Sequence, residues 1–350
     1  MKPDLANHRE ALPPQRKVTA DAPATACAFS RDGKLLAFAL GDGRVRLMPA
    51  DAKQEPPAAA EPLHKGVALS LIADPLPNPK GGDGFVSGGD DGRLLRITSD
   101  GTATELANQK GKWIDKLAAH KATGAIAASA GKMALVVKDV EVREFGPHSS
   151  TVADLDFSKD CSRIATAHYN GITIWSIGQV TLPPRKFGWA GSHVALRWST
   201  DGKFVATGTQ ENDIHVWRIA QASDMRMQGY PAKVKSLSWS ADARWLFTSA
   251  QPVFTAWPFA GKGPEGKPPV QFGDEGAGLM TVVAASPVSE FVLGGYDSGE
   301  LQLGEIKSRR SAVLKMSDSS PITCLAWSPD GLRFAAGNEN GDLWTIDLAR

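Results

Sequence analysis

The segment Gly261-Lys262-Gly263-Pro264-Glu265-Gly266-Lys267-Pro268 has the glycine and lysine spacing of a loop that cradles phosphates. That chemistry needs a closing Ser or Thr to hold magnesium and a helix N-terminus to complete the anion site. Pro268 stands at the closing position and no helical pattern follows, so a connection between strands is expected. Histidines at 8, 64, 120, 148, 168, 193 and 215 raise the question of a metal. No two of them share the short spacing with Cys or carboxylates that metal sites show, so structural or surface roles are expected, with no metal and no other cofactor. Cys27, Cys161 and Cys324 are too few and too far apart for a disulfide framework or a metal knuckle. No nucleophile elbow and no catalytic cysteine signature is present, so no catalytic residue is assigned. Asp90-Asp91 and Glu339 fall in turn-like contexts, and Lys307-Ser308-Arg309-Arg310 reads as a solvated basic loop. Ten Trp could stack on sugars or bases. Six of them (175, 198, 217, 239, 257 and 327) instead recur at fixed places in a repeat, which makes them core.

The elements that would position such residues follow from composition. The 350 residues are 42% hydrophobic and 22% charged, enough apolar material to bury a core. Lys and Arg number 39 against 38 Asp and Glu, so no global basic field argues for nucleic acid or an anionic membrane. No apolar run approaches the roughly 18 residues of a membrane helix, and Met1–Glu10 lacks the apolar core of an export signal. A cytoplasmic address is expected. With 35 Gly and 23 Pro, turns must be frequent, so many short strands are expected rather than long helices.

One phrase recurs: an apolar strand, an aromatic, Ser, a turn with Asp, then a second apolar strand. It reads Phe29-Ser30-Arg31-Asp32-Gly33, Phe157-Ser158-Lys159-Asp160-Cys161, Trp198-Ser199-Thr200-Asp201-Gly202, Trp239-Ser240-Ala241-Asp242-Ala243 and Trp327-Ser328-Pro329-Asp330-Gly331. A weaker copy begins at Ala285, and degenerate copies centre on Leu71 and Ala119. The spacing between successive copies is 38 to 48 residues, which brackets the period of a propeller blade, about 40–45 residues. Each unit continues with a tight turn such as Asp42-Gly43, Asp91-Gly92, Asn170-Gly171 or Asn340-Gly341, then a third strand and a less regular fourth. Second strands are rich in small residues, as in Ser87-Gly88-Gly89 and Ala206-Thr207-Gly208. Crowding near a central channel would account for that.

These residues resemble the WD40-repeat family of β-propellers across roughly 17–350. His148, followed by Leu155-Asp156-Phe157-Ser158, is similar to the family's Gly-His start of a blade. Asp42 stands six residues before Met48 and Asp91 six before Ile97, the family's spacing from turn Asp to Trp; Trp217 and Trp257 occupy the Trp slot itself. No Trp-Asp dipeptide occurs. The resemblance implies a hydrogen-bonded blade tetrad of His148, Thr166, Asn170 and Trp175, in the fourth unit alone.

The expected fold is therefore all-β, a propeller of four-stranded antiparallel blades. Eight blades are favoured over seven. The chain ends on a third strand, so a strand at Lys17-Val18-Thr19-Ala20 is expected to complete the last blade and close the ring. Residues 1–16 are expected to be a tail and 17–350 one domain. The expected function is a non-enzymatic cytoplasmic scaffold that binds a protein or peptide partner, without nucleic acid or membrane. The resemblance implies docking on the face of the inter-blade connections, where Trp113, Tyr169, Trp189, Tyr230, Lys233 and Tyr296 are candidates. The alternative is a propeller enzyme, or a binder of a small molecule or redox cofactor, using the central channel.

Overall fold

The computed structural model of the chain describes residues 16–58, 60–77, 83–179, 181–261 and 263–348. The tail expected at the N-terminus falls outside the described residues except for Arg16, as does Lys262 of the glycine-rich segment. All regular structure among the described residues is antiparallel strand, 29 strands without a helix. The repeat units contribute up to four strands, a to d in chain order, with a innermost. The units span 24–49, 68–108, 117–145, 154–188, 192–227, 237–272, 280–315 and 322–347, here units 1 to 8.

The innermost strands touch in sequence from unit 1 round to unit 8 and back to unit 1, closing a ring. Hydrogen bonding gathers the eight units into seven sheets. Five sheets have four strands, unit 1 has three, and units 4 and 5 share one sheet of six. The sharing arises because Arg163–Ser176 and Arg185–Trp198 each run 14 residues without a break. Tyr169 at the end of strand b in unit 4 then pairs with Ser192 at the start of unit 5. Eight inner strands and seven sheets thus coexist in one ring.

Ring closure occurs at the predicted place. Arg16–Thr19 pairs antiparallel with the last strand, from Arg16 opposite Thr345 to Thr19 opposite Asp342. Asp342 accepts from the Thr19 hydroxyl at 2.7 Å and the Lys17 ammonium at 2.9 Å. Unit 1 lacks a fourth strand because its continuation carries Pro56, Pro57 and Pro62, which have no N–H to give a ladder. The buried Arg16 guanidinium instead donates to the carbonyls of Pro49, Asp51 and Gln54, tying that segment to unit 8.

The recurring Ser-x-Asp phrase is a self-satisfied a–b turn. In units 1, 4, 5, 6 and 8 the Ser hydroxyl donates to the Asp carboxylate at 2.5–2.7 Å. The same hydroxyl accepts the N–H that opens strand b, and the carboxylate accepts an N–H within the turn. The next residue has positive φ, and Gly fills it at 33, 202 and 331, whereas Cys161 (56°) and Ala243 (59°) hold it at a steric cost. Ala243→Gly should therefore raise stability by about 0.5 kcal/mol and Ala243→Val should lower it, as read from urea denaturation midpoints.

The small residues of strand b have a different cause from the one expected. Strand b is not innermost; its glycines lie at seams between units. A Cβ on Gly208 would stand 2.0 Å from the Val234 carbonyl oxygen, and one on Gly88 would stand 2.4 Å from that of Ile114. The core is correspondingly divided into clusters between neighbouring sheets. Phe204 and Trp217 of unit 5, for example, contribute to two different clusters on its two sides.

Candidate functional site

Each strand a–b turn and each c–d turn lies on one side of the disc. The b–c turns and the connections from one unit to the next lie on the other. On this second face, Trp113 is 65% exposed and Tyr169 54% exposed, the exposed aromatics among the described residues. Trp113 is held outward because its neighbour Ile114 is fully buried and donates its N–H to the Gly89 carbonyl. Tyr169 sits where the strand register shifts, its N–H given to the Ser150 hydroxyl at 2.8 Å. Lys233 is exposed beside Lys235 and Lys116 at the mouth of the central channel, a cavity of about 740 Å³ that Asp297 and Glu339 also line. Between units 6 and 7 the same face has an open hollow of about 800 Å³ that includes Gln251, Glu275 and Asp297.

Three other candidates lie inward. Trp189 is half-buried, stacked on the His215 ring at 4.0 Å with the Arg226 guanidinium 5.9 Å away. Tyr230 and Tyr296 are buried, and their placement as surface anchors is corrected. Tyr230 takes the Trp257 indole N–H at 2.7 Å and shares a hydrogen bond with the Thr248 hydroxyl at 2.9 Å. Burial pushes its phenol up to about 12. Tyr296 is fully buried and donates to the Pro252 carbonyl at 3.2 Å.

Of the four tetrad residues, three meet. His148 Nδ1 donates to the Lys132 carbonyl at 2.8 Å; its Nε2 accepts from the Trp175 indole at 3.0 Å and lies 2.8 Å from the Thr166 hydroxyl. Asn170 stays out. It adopts φ 68° in the turn and accepts weakly from the Gly191 N–H. The fourth unit is also not alone. His64 donates to Asp91 at 3.0 Å and accepts from the Ser87 hydroxyl at 2.8 Å, while Asp91 accepts the Lys65 N–H. Sequence reasoning missed His64 because it precedes its hydroxyl partner by 23 residues, against 18 for His148. The longer connection after strand a of unit 2 hides the shared pattern. In unit 6, Tyr230 stands in the histidine's role with Thr248 and Trp257. Burial pushes His64, His148, His193 and His215 below the ordinary imidazole range, His215 to about 4, so all four are neutral at pH 7.

Side-chain bonds between inner strands line the channel. Thr323 donates to the Ala24 carbonyl, Thr25 to Ala68 and Thr281 to Ile322, each reaching from one unit to the next. All three threonines occupy β-bulges, which turn an extra side chain toward the seam. At units 4 and 5, Asp154 accepts the Leu196 N–H and pairs with Arg197 at 2.9 Å. Asp156 accepts the Trp198 N–H, and burial raises its carboxyl to about 6 against the pull of Arg197. These polar groups fasten the wall. Among the described residues no group of His, Cys, Asp and Glu could hold a metal ion, and no helix is long and apolar enough to cross a membrane.

The WD domain, G-beta repeat model matches residues 139–176, 185–218 and 309–344. Each match runs from the fourth strand of one unit into the next unit, the phase in which this ring is stitched. These matches support assigning the propeller to the WD40-repeat family. The propeller is 24% identical over 192 residues to actin-interacting protein 1 of Caenorhabditis elegans, covering 54% of this chain and 24% of that protein. It is 24% identical over 272 residues to autophagy-related protein 16 of Arabidopsis thaliana, covering 75% of this chain and 52% of that protein. The chain thus matches about a quarter and about half of the length of these curated relatives. Among solved structures, the crystal structure of the computationally designed Ika8 protein superposes with a TM-score of 0.73 at 18% identity, covering 97% of this chain and 99% of that one. That likeness concerns the fold.

Proposed function

We propose that this propeller is a non-enzymatic cytoplasmic scaffold that docks a protein or peptide partner on the face of its inter-unit connections. The observation carrying this reading is the exposure of Trp113 and Tyr169 on that face, in a molecule whose other described aromatics are buried or half-buried. Holding a large aromatic in water has no packing benefit, and aromatic anchors dominate binding energy at protein interfaces. Lys233 and Lys235 beside the acidic hollow add opposite charges that would set the partner's orientation. One likened protein is named for interaction with actin, which supports a protein-binding role. A fold alone carries no function, so the reading rests on the face.

The double variant Trp113→Ala/Tyr169→Ala should keep the melting temperature within a degree or two and lose at least tenfold in partner recovery by affinity capture from the native cell. Tyr230→Phe should behave in the opposite way, lowering stability without a specific effect on capture. Undiminished recovery by the double variant would remove this face from consideration.

A further inference from the structure

The opposite side of the disc, with the a–b and c–d turns, has a cleft of about 700 Å³ where units 4, 5 and 6 adjoin. Arg163 opens strand b of unit 4, Arg185 opens its strand d, Lys203 lies in the a–b turn of unit 5 and Arg218 ends its strand c. Two carboxylates stand among these four cations: Asp201 pairs with Lys203 and Glu265 with Arg218, both at 3.0 Å. A local excess of two positive charges remains, in a chain whose whole net charge is +1. Arg185 is held in place by its bond to the Ile219 carbonyl at 3.0 Å and by the Phe187 ring beneath it. The glycine-rich segment singled out in the sequence packs against this cleft through Gly261 and Glu265. Gly263 has φ 97°, and a Cβ there would come within 3.1 Å of the Arg218 guanidinium, so glycine lets the loop close on the arginines.

From this juxtaposition of three arginines and a glycine loop we infer that the cleft binds a phosphorylated peptide segment of a partner protein. The site lies on the face away from Trp113 and Tyr169 and does not depend on that docking reading. Guanidinium forks match phosphate oxygens two at a time, and groups already fixed in position lose little entropy on binding. The volume far exceeds one phosphate group and has room for flanking residues against Ala220 and the edge of Phe204. A nucleotide is disfavoured because the Phe204 ring is buried beneath the Arg218 guanidinium, leaving no aromatic face for a base.

The test uses the full chain on two immobilised peptide libraries, one oriented on phosphoserine and one on serine, with calorimetry against inorganic phosphate and ATP. Retention on the phosphoserine library should exceed that on the serine library at least tenfold. Arg163→Gln/Arg185→Gln should reduce it at least tenfold. Arg163→Gln alone, at an exposed position, should show a smaller loss with an unchanged melting curve. Trp113→Ala/Tyr169→Ala should retain the phosphopeptides fully, which separates this site from the docking face. Equal retention on both libraries, retention untouched by the arginine variants, or binding of phosphate or ATP without binding of phosphopeptides would each overturn the inference.

Discussion

Deleting residues 1–19 should abolish the cooperative fold, leaving a chain that aggregates or melts far below the intact protein. The deletion removes the strand Arg16–Thr19 and uncovers the edge of Asp342–Thr345, an open template for pairing with other chains. It also removes the Arg16 guanidinium, whose donors reach Pro49, Asp51 and Gln54 and thereby serve unit 1 where a fourth strand is missing. One residue thus closes two deficits on either side of the terminal seam. The milder change Arg16→Met should cost about 3 kcal/mol, since hydrogen bonds from a charged donor are lost and partly covered carbonyls are left unpaired. Urea denaturation measures the second effect and differential scanning calorimetry the first. A truncated chain that melts with the intact protein would show that the ring does not depend on this strand.

Gly208→Ala should be among the most damaging single-methyl additions at the described glycines. The added carbon would stand 2.0 Å from the Val234 carbonyl oxygen, which belongs to the segment leading into unit 6 and is not a flexible side-chain tip. Relief requires units 5 and 6 to separate, and in a closed ring that displacement is passed to every other seam. A cost of about 3 kcal/mol is expected, at the upper end for overpacking. Gly188→Ala is the control, because nothing stands within 4 Å of a Cβ there. Equal denaturation midpoints for the two variants would mean that the seam yields easily.

The architecture was legible because its period is written in side-chain chemistry. Ser30 and Asp32, and their counterparts at 158, 199, 240 and 328, satisfy a turn locally, so the same residues recur wherever the backbone turns in the same way. The closure strand was legible for a related reason: an incomplete last unit demands a partner. What depends on contacts between units was not legible. Gly208 looks like any glycine until Val234 is placed against it, and His64 looks isolated until the connection after strand a is folded away. Tyr230 and Tyr296 share a residue type with Tyr169, but only the packing of neighbouring sheets separates the covered from the exposed. The arginine cleft is spread over Arg163, Arg185 and Arg218, on three strands of two units, with no local signature in the chain.

The six-stranded sheet makes units 4 and 5 mechanically different from the rest. Elsewhere neighbours are joined by side chains and by isolated main-chain bonds, such as Ala250 N–H to the Met280 carbonyl and Ile114 N–H to the Gly89 carbonyl. Here the strands themselves run on across the boundary, with Tyr169 paired to Ser192, so the two units share one continuous sheet. Arg163 and Arg185 of unit 4 and Arg218 of unit 5 therefore stand on one hydrogen-bonded sheet, whose backbone ladder sets their spacing.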